Sequence, residues 1–359
     1  MIYKKFSKIF FLAISIFVII NLVIWNFFTK DILTNNSDKY TGDLSRMSYL
    51  SHLNFERKDL RTLDKKMLDT NSYNIEDIDM ITIGDSFSNG GAGGENKYYQ
   101  DYLATKLDLN ILNLYNLPNS RNSLETIVYL YNSGFLEKTK VKYILIECVQ
   151  WGIIDRFSFD LDTSKTISMD EIREIYKFNT KDEEKRENLL PDVSFINTGN
   201  FKFIAYNILY NFSDKAFFSF VHKFKLNDYY FSLENKDFIF YKNDVGYLRK
   251  ISEDNLKTVN HNLNLLSNLL AKKDIKLIFM PAVNKYDLYY PYIVKNKYPK
   301  DSFFDIYRKL DKNYIFVDTK DILSKKVEEK EKDIFYIDDA HWSYKASDII
   351  TTKIAEELN

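Results

Sequence analysis

The chain has 359 residues, long for one domain and short for three, so one large domain with an insertion, or two domains, is expected. Hydrophobic residues make up 45% and charged residues 28%, which excludes bulk disorder, and a formal net charge of -1 gives no basic surface for a nucleic-acid partner. The single cysteine, Cys148, excludes an intrachain disulfide and reads as a small core residue in the apolar run 143–149. The four histidines, His52, His222, His261 and His341, are scattered, so no metal and no cofactor is expected.

Residues 9–28 are uncharged and mostly apolar, long enough to cross a hydrocarbon core of about 30 Å as a helix. Lys4, Lys5 and Lys8 precede this run, while Lys30 and Asp31 follow it and cancel. The positive-inside bias places the N-terminus in the cytoplasm and the remainder outside. The run ends with Trp25 and two phenylalanines, without a small-residue cleavage site, and reads as an uncleaved signal anchor. A cytoplasmic tip and anchor (1–30) is followed by a linker and helical stalk (31–74), with the linker at 35–38 and a charged helix expected over 56–68.

Short apolar runs at 78–83, 110–115, 141–149, 275–280 and 314–317 read as buried strands. Helical periodicity separates them at 98–107, 123–133 and 254–272, and a closing helix is expected over 346–358. The alternation predicts an α/β fold with a doubly wound, parallel five-stranded sheet, flavodoxin-like in plan, built from 75–156 and 251–359. Residues 157–250 break the pattern and form an insertion, a lid or substrate wall. The insertion holds a charged helix (169–177), a charged run (181–188), an aromatic helical stretch (200–224) read as core-facing, and a hairpin-like piece (229–248).

Ligands of such sheets sit beyond the carboxyl ends of the strands. The first strand ends in Gly84-Asp85-Ser86, where a glycine permits a tight turn and the start of the next helix would offer free N–H groups. Gly90, Gly91, Gly93 and Gly94 follow as a mobile loop. Near the C-terminus stands Asp338-Asp339-Ala340-His341-Trp342, directly before the last helix. An aspartate there can orient the imidazole and stabilise the imidazolium formed when His341 takes the proton of Ser86.

Gly-Asp-Ser after the first strand together with Asp-Ala-His-Trp near the C-terminus resembles the SGNH (GDS-type) hydrolase superfamily. Within it, the chain looks more like the bacterial surface-polysaccharide O-acetyltransferase branch, the alginate O-acetyltransferase-like proteins, and the related Asp-x-His-Trp proteins. Ile144-Leu145-Ile146-Glu147, followed by Trp151 and Arg156, and the segment from Pro281 to Tyr289 are similar to strand-end segments of that branch. The resemblance covers roughly 75–156 and 255–359. It implies Ser86 as nucleophile and His341 as general base. Asp339 fits the Asp-x-His-Trp pattern and is favoured as the orienting acid; Asp338 fits the Asp-x-x-His spacing of the wider superfamily and is the alternative.

The Ser86 backbone N–H would serve as one oxyanion donor. The superfamily's glycine after strand two and Gly-x-Asn after strand three are missing here, which leaves Asn119 or Ser120 as substitutes. The implied activity is a membrane-anchored, extracytoplasmic O-acyltransferase, an O-acetyltransferase in the first instance. It would act on a cell-surface or exopolysaccharide and take its acyl group from a multi-span membrane-bound O-acyltransferase. A carbohydrate esterase of the same fold, or a non-catalytic or D-alanylation-type scaffold, are the alternatives.

Overall fold

The structure, a computed structural model, describes residues 2–34, 41–69, 73–176 and 194–359. Five strands, β1 (Met80–Ile83), β2 (Ile111–Leu114), β3 (Tyr143–Val149), β6 (Lys276–Ala282) and β8 (Ile315–Phe316), form a parallel sheet in the order β2-β1-β3-β6-β8. The expected α/β plan with a parallel five-stranded sheet is therefore present. β1, β2 and nearly all of β3 are buried along their whole length, as continuous apolar runs in a sheet covered on both faces should be.

Side-chain pattern sets the helices. In Glu253–Ala271, Leu256, Val259, Leu263, Leu266 and Leu270 are buried at three- and four-residue spacings, and Ser252 caps the N-terminus by accepting from the Asn255 N–H at 3.2 Å. This helix packs with Ser123–Asn132, Ile153–Phe157 and Phe303–Tyr307. The closing helix Tyr344–Leu358 packs instead on Tyr99–Leu107 and on Thr319–Glu328, a helix the periodicity did not indicate. The strand order reverses between β1 and β3, the position where such sheets open a crevice.

A second sheet, in the order β5-β4-β7, pairs β4 (Val221–Leu226) antiparallel with β5 (Asp237–Tyr241) and with β7 (Ile293–Val294). This corrects two expectations. The aromatic stretch 200–224 is helical only over Thr198–Leu209 and ends in strand β4, and the hairpin of 229–248 is formed by β4 with β5. Because β7 belongs to the C-terminal half of the chain, the inserted segment is woven into the main domain. The charged helix of 169–177 is present over 169–176; Lys177, the run 181–188 and the linker at 35–38 lie outside the described residues.

The expected charged helix over 56–68 is absent: this segment crosses the domain as a non-helical strap. Its backbone finds partners on the domain instead of along a helix of its own. Lys65 N–H donates to Thr105 Oγ1 (3.2 Å), Met67 N–H to Asp101 Oδ1 (2.9 Å) and Leu68 N–H to the Ile111 carbonyl (2.8 Å). Arg57 and Asp59 are both turned into buried positions, which a solvent-exposed stalk helix would not permit.

The apolar helix near the N-terminus passes the length and composition test for crossing a membrane over Tyr3–Thr34, with mean hydropathy 2.5, and could equally be a signal sequence by that test alone. It includes a π-helical turn at Trp25–Thr29.

Candidate active site

β1 delivers the chain into a run of turns at Gly84–Asn96, so the expected helix start after Ser86 is absent; the next helix begins at Tyr99. Glu147, on the adjacent β3, holds this turn from within the sheet. Its Oε2 accepts from the Asp85 N–H (3.0 Å), the Ser88 N–H (3.2 Å) and the Ser88 hydroxyl (3.0 Å). Burial, and then the nearby Asp85 carboxylate, push the Glu147 carboxyl well above its usual range. A side chain at Gly84 would strike both Ser88 Oγ and Glu147, so only glycine lets the turn fold onto β3. Asp85 Oδ2 accepts from the Val149 N–H at 2.9 Å and pairs with Arg156, fixing the turn to the exit of β3.

Ser86 is thereby left exposed at the sheet's carboxyl edge. Its Oγ lies 2.7 Å from His341 Nε2, and His341 Nδ1 lies 2.6 Å from Asp339 Oδ1. The His341 backbone N–H also donates to Asp339 Oδ1, at 3.0 Å. His341 and Asp339 are buried, and Phe87 packs its ring on the imidazole at 4.7 Å. Burial works against the imidazolium, but the Asp339 carboxylate outweighs it and holds His341 up at about 9. Burial likewise opposes the Asp339 charge, yet His341 and then Arg57 keep that carboxyl well below its ordinary value.

Asp338 has a different task. Its side chain makes no contact with the imidazole and accepts from Gly42 N–H (2.9 Å), Phe55 N–H (3.2 Å) and both terminal nitrogens of Arg57 (2.9 and 3.3 Å). One of those nitrogens, Arg57 Nη2, also donates to Asp339 Oδ2 at 3.0 Å. From the same N-terminal segment, the Asp43 N–H reaches Asp339 Oδ2 (3.3 Å), and Asp43 Oδ1 accepts from the Ala340 N–H (2.8 Å). Burial and the neighbouring Asp339 raise the Asp43 carboxyl to about 7. Lys285 fixes the loop from the far side: its buried Nζ donates to the carbonyls of Tyr336 (2.7 Å), Ile337 (2.9 Å) and Asp339 (3.0 Å).

Ser86 and His341 line a cavity of about 580 Å³ whose walls include Trp151, Arg156, Tyr241 and Asn284. Tyr241 and Asp244 come from the inserted segment, so that segment does contribute to the wall. Asn284 follows β6; its Oδ1 accepts from the Trp151 N–H at 3.3 Å, while its buried Nδ2 has no hydrogen-bond partner among the described residues. Asn119 and Ser120 do not line the cavity. Asn119 is exposed in the turn after β2, and the Ser120 hydroxyl is held by the Leu117 carbonyl and Thr126, both at 2.7 Å. Cys148 is buried, and burial pushes its thiol well up; it takes no place in the relay.

Asp43, Asp339 and His341 bring three potential ligand atoms within 4.8 Å of one another. These groups are already committed: Nε2 faces Ser86, Nδ1 faces Asp339, and Asp339 Oδ2 faces Arg57. A cation there would have to displace the guanidinium and the imidazole contacts.

Comparison with protein-family models, with curated proteins and with solved structures gave no match. Ser86, His341 and Asp339 converge as the sequence pattern anticipated, while Asp43, Arg57, Asn284 and Lys285 enter the site without having been assigned to it. Two adjacent carboxylates between the apolar Phe335-Tyr336-Ile337 and Ala340-His341-Trp342 were the available sign that a buried cation had to come from elsewhere.

Proposed function

We propose that this protein is a membrane-anchored serine acyltransferase of the SGNH type, an O-acetyltransferase acting outside the cytoplasm on a cell-surface or exopolysaccharide. The observation that carries the reading is the relay from Ser86 Oγ through His341 to Asp339, at 2.7 and 2.6 Å, opening on a cavity. Gly84-Asp85-Ser86 at the end of β1, the Asp-Ala-His-Trp block before the last helix and the strand order β2-β1-β3-β6-β8 support the family assignment.

In this mechanism Ser86 Oγ attacks the acyl carbonyl of the donor while its proton passes to His341 Nε2. The tetrahedral oxyanion collapses, the donor's leaving group departs with that proton, and the acyl group stays as an ester on Ser86. His341 then takes the proton of an acceptor hydroxyl, which attacks the same carbonyl; Ser86 Oγ leaves and is reprotonated. Asn284 Nδ2 and the Ser86 N–H are the donors we assign to the oxyanion, in place of the absent Gly-x-Asn. The donor would be a multi-span membrane-bound O-acyltransferase, beside which an anchored partner gains effective concentration.

The test is the ester content released from the cell surface by mild alkali, compared between wild type and a chromosomal Ser86→Ala strain. A fall in acetate supports transfer. A rise identifies an esterase, and unchanged acetate and D-alanine would leave a scaffold as the better account.

A further inference from the structure

Twelve large apolar side chains outside the apolar N-terminal helix are exposed among the described residues, and nine of them fall between Phe195 and Phe220. Phe218 is 95% exposed, Phe212 87% and Phe201 73%. A patch so concentrated on a folded domain has a partner. The contacts of this segment say which.

Asn200, in the helix Thr198–Leu209, is buried against the N-terminal helix. Its Nδ2 donates to Asn21 Oδ1 at 2.9 Å, and its Oδ1 accepts from Thr29 Oγ1 at 2.6 Å. Phe203 stacks on Phe28 with ring centres 4.7 Å apart. Asn21 lies two turns before Phe28, about 10 Å along the helix axis. If residues 9–28 span the hydrocarbon, the side chain that satisfies Asn21 must itself lie below the bilayer surface. Asn200 therefore cannot stand in water above the membrane, and the exposed faces of Phe201, Ile204 and Ile208 leave the same helix towards lipid.

From this we infer that residues 195–220 form a second membrane-seated element. The helix Thr198–Leu209 dips into the leaflet nearer the domain, beside the anchor, and the loop carrying Phe212, Phe217 and Phe218 rests at the headgroup level. Lys202 and Lys215 are exposed cations that can rise to lipid phosphates, as cationic side chains of interfacial helices do. The partner is the phospholipid surface itself. Phe220, at the end of the loop, stacks 6.4 Å from Tyr241, which lines the Ser86 cavity. The seat therefore holds the cavity wall near the bilayer, where an acyl donor carried by a membrane protein would present its ester.

The inference rests on reading the N-terminal helix as an anchor, and its test separates the two. Environment-sensitive fluorophores are attached to single cysteines (Phe17→Cys, Phe201→Cys, Phe218→Cys or Lys257→Cys) in the full chain carrying Cys148→Ala. The protein is reconstituted in phosphatidylcholine–phosphatidylglycerol vesicles. Lipids with the doxyl group deep in the acyl chain should quench position 17, lipids with it near the headgroup should quench positions 201 and 218, and iodide should quench position 257 fully, 218 weakly and neither 17 nor 201. If position 17 is quenched by lipid while 201 and 218 respond to iodide like 257, the seat is refuted and the anchor stands. Shielding of 201 and 218 from both quenchers would assign the patch to a protein contact and also refute the lipid seat. If position 17 is reached by iodide, the anchor reading itself fails.

Discussion

Arg57 and Asp339 are 282 residues apart in sequence and 3.0 Å apart in space, and the same guanidinium nitrogen spans Asp338 at 2.9 Å. The pairing divides labour between two adjacent carboxylates: one faces the imidazole, the other anchors the strap. Asp339→Asn should cut turnover of p-nitrophenyl acetate by about 10⁴-fold, because the imidazole loses its orienting charge, and should also lower Tm, because Arg57 and His341 each lose a buried charged partner. Asp338→Asn should cost about 3–5 kcal/mol of stability by stripping a buried partner from Arg57. Turnover per folded molecule, measured below the Tm of each variant, separates them: a loss of about 10⁴-fold in Asp338→Asn with Asp339→Asn near wild type would make Asp338 the orienting acid.

The His341 shift sets a pH dependence. A general base acts as the neutral imidazole, so with His341 held at about 9, kcat/KM should climb with pH and level off above about 9. In Asp339→Asn the midpoint should drop by at least one unit. The linked stability has the opposite sense. The favoured imidazolium stabilises the fold fully below the ordinary value of 6.5, and that contribution fades as pH rises through about 9. Tm of the wild type against His341→Gln across this window measures it.

Gly91 offers a steric test free of charge effects. A Cβ there would sit 2.7 Å from His341 Nε2 and 2.8 Å from the Ser86 carbonyl oxygen. Gly91→Ala should therefore push the imidazole off Ser86 and lower fluorophosphonate labelling by at least about tenfold, with far-UV circular dichroism unchanged. Normal labelling would show that the glycine loop yields freely.

Asn284→Ala removes the unpaired amide of a residue that lines the cavity. If that amide receives the oxyanion, kcat should fall by about 10²–10³-fold at nearly constant KM. A rise in KM alone would assign Asn284 to substrate binding.

Much of the sheet was readable because buried parallel strands are continuous apolar runs: 78–83, 110–115 and 141–149 contain β1, β2 and β3 almost to the residue. Ser86 and His341 were readable because both sit at ends of elements, where turn chemistry stands out. The strap was not. Glu56 to Leu68 has the charge density of a surface helix, and nothing local reveals that Arg57 is claimed by two carboxylates at the other end of the chain. The aromatic run after Asn200, read as core-facing, is so only in part: Tyr206 and Tyr210 are buried, while Phe201, Ile204 and Ile208 are exposed, because the helix carries apolar residues on more than one face. Asn284 stood in a segment singled out for likeness alone, and the role proposed for it depends on an unpaired amide that only three dimensions expose.

The span between Ser86 and His341, 255 residues, has a consequence for timing. Chains emerge from the ribosome at about 5–20 residues per second, so the serine precedes its base by some tens of seconds. Through that interval Ser86, the strap and the apolar N-terminal helix are already made, yet His341, the hydrogen-bond partner of Ser86, is not. On the proposed reading, a polypeptide stalled or clipped before His341 would be chemically silent, because Ser86 has no base until that residue has been made.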